Sequence, residues 1–193
     1  MKAAHPKYED VKRRLERLRS RFSPWAGTVY RNCVLQYATN KDLLTGGGSS
    51  LYGGRWSPAG IRAVYASLTP ETSMAEALSH FRYYGIDVAD AMPRVFVAIQ
   101  VKLTEVLDLT DPDVRRSLNL PVRRMLQEDW RKVQRSGAES RSQMIGRAAT
   151  AIGLEGLIVP SAAEPTGKNL VCFPDHLAVK SNLAIHKAEE LPK

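Results

Sequence analysis

The sequence predicts an α+β fold: a single domain with a split, mainly antiparallel sheet flanked by helices. Three observations point there. Strand-like and helix-like stretches are mixed without the regular alternation of a doubly wound sheet. A length of 193 residues suits one domain, and 44% hydrophobic residues can fill a sizeable core. No internal repeat or long low-complexity linker divides the chain.

The elements follow in order. Val11, Leu15, Leu18 and Phe22 recur at helical spacing, so residues 7–22 read as an amphipathic helix with a strongly basic opposite face. "SPWAG" ends it, and the alternating "TVYRNCVL" reads as a strand. Residues 43–60, "LLTGGGSSLYGGRWSPAG", form a loop with six glycines. "AVYAS" is a short buried strand. "TPETSMAEALSHFRYY" opens a helix with Thr69 as N-cap, Pro70 at the first helical position and Glu71 favourable to the dipole. Met74, Leu78 and Phe81 form its apolar stripe. "PRVFVAIQVKL" and "EVLDL" read as two strands. Residues 111–152 are helical, with breaks near Pro121 and Gly137. "GLEGLIVPS" holds a strand ending at Pro160-Ser161, and "KNLVCF" and "HLAVKSNLAIH" close the chain as strands. The expected organisation is a basic N-terminal helix over residues 1–26 and a main domain over 27–193.

Composition narrows the function classes. No apolar run reaches the length of a membrane span, and the N-terminus lacks the apolar core of a secretory signal, so a cytoplasmic protein with no membrane partner is expected. Cys33 and Cys172 lie in apolar, strand-like surroundings and are expected free and buried. His5, His80, His176 and His186 have no ligand spacing, so no metal site is expected. The net charge of +8 favours anionic partners. One reading of it is a nucleic-acid-binding module built on the basic helix, but helix-turn-helix, zinc and RNP signatures are absent.

The glycine loop fails the standard phosphate-binding patterns. Gly48 and Gly53 have Walker A spacing, but Gly54-Arg55 replaces the lysine and hydroxyl. "PTGKN" lacks the upstream glycine. Gly46 and Gly48 begin a dinucleotide fingerprint that fails at Leu51. A G-x-S-x-G elbow is absent. What remains is Gly54-Arg55-Trp56 beside a Ser-Pro-Ala-Gly turn. Arginine offers a planar fork suited to phosphate, and flexible backbone beside it lets amides approach an anion. Arg55 packed on Trp56 is the structural alternative.

Taken together, "VYR" at 29–31, "GGRWSPAG" at 53–60, "VYASLTPETSMAEAL" at 64–78, "VPS" at 159–161 and "NLVCF" at 169–173 resemble the RES-domain family. This family is the toxin half of bacterial RES–Xre type II toxin–antitoxin pairs. Its eponymous Arg, Glu and Ser fall on Arg31, Glu76 and Ser161. The resemblance implies an ADP-ribosyltransferase-like fold and an enzyme that consumes NAD as substrate, with no separate cofactor. The reaction it implies is hydrolysis or phosphorolysis that depletes NAD; the alternative is ADP-ribose transfer to a host protein. It also implies an Xre-like antitoxin as partner, through which DNA is met only indirectly. No Glu-x-Glu pair is present, which leaves the acceptor open.

For that chemistry, Glu76 is the candidate carboxylate facing an oxocarbenium-like transition state, because it lies off the apolar stripe of its helix. Arg31 shares a strand side with Val29 and Cys33 and needs a partner or water. Arg55 is the cation for the pyrophosphate, with Gly54 allowing close backbone approach. Tyr65 is placed to stack on nicotinamide, and Tyr30 to line the pocket. Ser161 follows a strand end where a hydroxyl can enter a cleft. Asn169 hydrogen-bonds substrate or holds its strand.

Overall fold

The computed structural model describes residues 5–90 and 92–192. Among the described residues, six strands form: β1 (Ser23–Val34), β2 (Val64–Ser67), β3 (Arg94–Asp108), β4 (Gly156–Pro160), β5 (Lys168–Cys172) and β6 (Asn182–Ile185). Eight α-helices accompany them: α1 (Tyr8–Arg17), α2 (Asn40–Leu44), α3 (Gly47–Tyr52), α4 (Pro70–Tyr84), α5 (Pro112–Leu118), α6 (Val122–Gln127), α7 (Trp130–Arg135) and α8 (Arg141–Ala151). The helical breaks expected near Pro121 and Gly137 separate α5 from α6 and α7 from α8.

The expected split sheet is instead a closed ring. β1 pairs antiparallel with β3 and touches β2 at Tyr30–Ser67. β2 pairs with β5 and β5 with β4, both antiparallel. β4 then returns to β3 as a parallel neighbour through residues 106–108. β6 lies on β3 as an additional antiparallel strand. Closure depends on the 15-residue length of β3, which spans both stretches that the sequence divides. One edge carries β1; the other carries β6 and then β4.

Directly opposed residues share a sheet face, and that rule separates two cores. Val29, Val64, Ala66, Ile99, Ile158 and Leu170 pack together on one face with Leu43 of α2. On the other face, Leu157, Val159, Val171 and Phe173 meet Val11 and Leu15 of α1 and Met144, Ile145 and Ala148 of α8. The basic helix is therefore a packed element of the domain. It ends earlier than expected, passing through one 3-10 turn (Arg19–Arg21) into β1. "SPWAG" lies inside that strand, as does the expected boundary after residue 26. Arg147 fastens α1 to α8: its guanidinium lies 3.6 Å from the Tyr8 ring and donates to both Glu139 carboxylate oxygens at 2.6 and 2.7 Å.

At the C-terminal end, "HLAVKSNLAIH" yields a strand only over Asn182–Ile185. Its start is diverted because the amide of Ala178 and the hydroxyl of Ser181 both donate to Glu155. Cys33 and Cys172 are free thiols, and only Cys172 is fully buried. No helix among the described residues is long and apolar enough to cross a membrane. Nor do these residues contain a group of three or more His, Cys, Asp or Glu side chains placed to hold a metal ion.

Candidate active site

The N-terminus of α4 forms as its sequence dictates. Thr69 Oγ1 accepts from the Thr72 amide at 3.1 Å, Pro70 opens the first turn, and Gly85 ends the helix at φ 64°. The packed face is not the expected apolar stripe. Thr72, Ser73 and Phe81 are buried, whereas Met74 and Leu78 are both only partly buried. A polar row therefore faces the sheet, and Glu76 stands one turn beyond Thr72 on it.

Glu76 meets two neutral donors. Ser161 Oγ and Asn169 Nδ2 both donate to Glu76 Oε1 at 2.7 Å. Each donor is itself oriented. The Asn169 side-chain oxygen accepts from Ser67 Oγ at 2.7 Å, which turns its amide nitrogen towards Glu76. Ser161 is 4% exposed, and its oxygen accepts from the amides of Ala163 and Glu164 at 3.0 and 3.1 Å, so its proton is left for the carboxylate. The strand register explains the meeting: Tyr30, Ser67, Asn169 and Val159 oppose one another in turn across β1, β2, β5 and β4. Among the described residues, Glu76 Oε2 accepts no hydrogen bond.

Arg55 supplies the nearby positive field. Burial lowers its pKa, Glu76 opposes that shift and Arg131 adds to it. One guanidinium nitrogen donates to the carbonyls of Met125, Leu126 and Glu128 at 3.2, 3.3 and 3.4 Å, covering the C-terminal end of α6. These carbonyls, and not the alternative of packing on Trp56, hold Arg55.

Tyr65 is anchored at its hydroxyl, which accepts from the Trp56 amide at 3.0 Å and shares a 2.9 Å hydrogen bond with Ser57 Oγ. Burial pushes the phenol up to about 12. The ring thus braces the Gly54–Ser57 turn. Tyr30 lies half-buried on the same sheet face.

Arg31 is not brought to Glu76. It projects with Val29 to the other face of β1 and donates to the Leu43 carbonyl at the end of α2. Burial lowers its pKa, and the neighbouring Cys33 and Asp42 oppose the shift.

The glycine stretch is not a loose loop. It forms α2, α3 and the Gly54–Ser57 bridge. A Cβ at Gly46 would stand 2.6 Å from the Ala63 backbone nitrogen, and one at Gly54 would stand 2.5 Å from the Tyr65 hydroxyl. Gly46 and Gly53 also have left-handed φ values of 67° and 74°. These glycines admit the protein's own chain. Gly48 differs, with nothing within 4 Å of an added Cβ.

Two residues of the site, Ser67 and Arg131, are not singled out by the sequence. Ser67 carries a weak signal there, two residues beyond Tyr65 on the same side of β2. Arg131 belongs to no motif: it is placed by stacking, 4.5 Å from the Trp130 ring and 4.6 Å from Tyr83. His80, one turn beyond Glu76, lies 3.4 Å from Arg131 through Nδ1. Burial lowers the His80 pKa, and Arg131 lowers it further.

Comparison with known proteins identifies the family of the chain. The family model described as RES domain matches residues 28–192. A protein named NAD(+) phosphorylase MbcT, from Mycobacterium bovis and from Mycobacterium tuberculosis, is 28% identical over 156 residues, covering 72% of this chain and 69% of the relative. The crystal structure of the Mycobacterium tuberculosis MbcT–MbcA toxin–antitoxin complex contains a chain that superposes with a TM-score of 0.71. That superposition covers 95% of this chain and 97% of the other at 24% identity, a likeness of fold.

Proposed function

Because the chain belongs to the RES-domain family, we propose that it is the toxin of a toxin–antitoxin pair and cleaves NAD at the nicotinamide–ribose bond. The observation that carries this reading is the Glu76 carboxylate, fixed by Ser161 and Asn169 through one oxygen and, among the described residues, without a donor at the other. Nicotinamide is bound to ribose as a pyridinium and leaves as a neutral ring, so the departing base needs no general acid. Positive charge develops on the ribose instead. An aligned carboxylate stabilises that charge as in glycoside cleavage. Ser161 and Asn169 act as positioning residues: they set the direction of Glu76 without neutralising it.

Arg55 faces the pyrophosphate through guanidinium nitrogens that α6 does not use, and Tyr65 and Tyr30 offer ring surface to the nicotinamide end. Gly54 keeps the turn against Tyr65. Arg31 acts at one remove, holding the end of α2 and so the start of the segment that carries Arg55. Orthophosphate is the acceptor, by similarity to the relatives' named activity. The bond cleaved is also the one that ADP-ribosyltransferases break, and a likeness to their fold is part of this reading. A partner antitoxin of the Xre-like type, in the cytoplasm, holds the enzyme silent.

The test is direct. Purified protein is incubated with NAD, with and without orthophosphate, and the products are identified by mass. Nicotinamide together with a phosphorylated ADP-ribose that appears only with orthophosphate is expected. ADP-ribose in both arms would make water the acceptor. Undiminished NAD in both would overturn the proposal.

A further inference from the structure

A cavity of about 350 Å³ lies apart from Glu76, where the start of α1, the α5–α6 connection and the start of α8 meet. None of its lining residues belongs to the site described above. Its floor is apolar, with Val11, Leu120 and Met144. Three cations stand around it: Lys7, Arg124 and Arg141. Among the described residues, none of their side chains has a carboxylate within salt-bridge distance. Asp10, also at the cavity, is taken by Arg14 at 2.9 Å. His5 also lines the cavity; burial lowers its pKa, so it adds little charge at neutral pH. The α8 N-terminus is already capped by Ser140 and Gln143, which leaves side chains to hold an anion.

We propose that this cavity binds a small amphipathic anion: one carboxylate or phosphate group on an apolar body of about one ring. The volume sits at the small end of the range for ligand pockets, about 300–1,000 Å³. The floor accommodates the apolar body, while the three cations face the anionic group. A ligand of either half-type alone would leave one side unmatched.

The site also has a route to the Glu76 region, and this part rests on the proposed activity. α6 is six residues long, about 9 Å at the helical rise. Arg124 lines the cavity, and the carbonyls just beyond it receive Arg55. A second link runs through α8: the Arg141 amide donates to a Glu128 carboxylate oxygen at 2.8 Å, and the Glu128 carbonyl receives Arg55. A ligand that draws Arg124 and Arg141 inward therefore shifts the support of Arg55.

Fluorine NMR titration of the whole protein tests the site with 4-fluorophenylacetate, 4-fluorophenyl phosphate and 4-fluorobenzyl alcohol; inorganic phosphate is added as competitor. Saturable binding of at least one anionic probe is expected, with much weaker binding of the alcohol and of inorganic phosphate. The stronger of the two anionic probes identifies the group. Arg124→Gln and Arg141→Gln, at exposed and half-exposed positions that the fold tolerates, each weaken binding about tenfold. Absence of saturable binding by both anions, equal binding of the alcohol, or unchanged affinity in both variants overturns the site. NAD consumption is then followed at a saturating concentration of the bound probe. A change of about twofold or more that vanishes in Arg141→Gln supports the coupling; an unchanged rate overturns the coupling alone. The titration decides the site even if the protein consumes no NAD.

Discussion

Glu76 and Glu155 are two carboxylates that the fold treats in opposite ways. Glu155 is 2% exposed and accepts four hydrogen bonds, two on each oxygen. Its donors are the Thr104 amide and hydroxyl, the Ala178 amide and the Ser181 hydroxyl. Burial alone would raise its pKa, but these bonds prevail and hold it below the ordinary glutamate value. It ties β3, the start of β4 and the approach to β6 together, and nothing remains for a ligand to satisfy. Glu76 is half-buried and receives two bonds on one oxygen. The contrast teaches that satisfaction, more than burial, separates a structural carboxylate from the one proposed for chemistry.

The sharpest way to break the comparison is to remove each charge while keeping shape. Glu76→Gln keeps an acceptor for Ser161 and Asn169, so its melting temperature should stay within a few degrees of the parent. Its rate of NAD consumption should fall by about 10²–10³, the scale of a lost electrostatic contributor. A Gln variant that consumes NAD at the parental rate would put Glu76 outside the mechanism.

Glu155→Gln should do the reverse. Its amide must turn towards donors that already point inward, and hydrogen bonds to a charged acceptor carry about 1.5–3 kcal/mol each. A loss of about 3 kcal/mol in chemical denaturation is expected, with kcat/KM for NAD unchanged in the folded fraction. The pH dependence has a definite sign. The folded-state pKa of Glu155 is depressed, so its contribution is fully present above the unfolded value of about 4.5. It is lost as pH falls through the lower folded value. Parental stability should therefore fall more steeply below pH 4.5 than that of the Gln variant. Parallel curves would show that Glu155 does not carry the acid response.

Much of this contrast is invisible in the sequence. Glu76, Ser161 and Asn169 stand out there through their match to a family pattern; periodicity gives only the weaker argument that Glu76 avoids an apolar stripe. That argument has the wrong premise, because α4 packs through Thr72 and Ser73, and small polar residues leave no hydrophobic signal. Glu155 in "GLEGLIVP" looks like part of a strand, since its four donors come from two distant segments, Thr104 and residues 178–181. Most strands and helix starts are legible from alternation and caps. Ring closure is not: it depends on β3 running unbroken through Thr104, where the amide leaves the ladder for Glu155. The outcome for Arg31 has the same origin, since alternation correctly puts it with Val29 but does not say which face of the sheet carries the site.

The comparison extends to the arginines on either side of β1. Arg55 presents one nitrogen to three carbonyls and, among the described residues, leaves the rest of its fork unbonded, as the proposed pyrophosphate contact requires, whereas Arg31 is committed to Leu43. Arg55→Lys supplies charge without the fork, so KM for NAD should rise about tenfold, with a smaller effect on kcat. For Arg31→Lys, a single amine can still reach one carbonyl, and the rise in KM should be about threefold or less, with Arg31→Ala losing several degrees of melting temperature. A larger KM effect at 31 than at 55 would reverse the assignment and move the substrate to the other face.

The smallest expected effect concerns how far the open, ligand-facing side reaches. Gly54 cannot accept a side chain, because Tyr65 occupies the space. Gly48 can: it lies in the first turn of α3 with nothing within 4 Å of an added Cβ. Two accounts of this glycine diverge on one substitution. If Gly48 serves only to let α3 begin, Gly48→Ala should stabilise the protein by about 0.5–1 kcal/mol, because alanine loses less backbone entropy on entering a helix. KM for NAD should then be unchanged. If the backbone at 48 must approach the dinucleotide closely, the added methyl lies in its path, and KM rises despite the gain in stability. The structure favours the first account, since the tight glycines at 46 and 54 already pack against Ala63 and Tyr65. A rise in KM beyond about threefold, roughly 0.7 kcal/mol, would place the NAD-facing surface across α3 as well as Arg55.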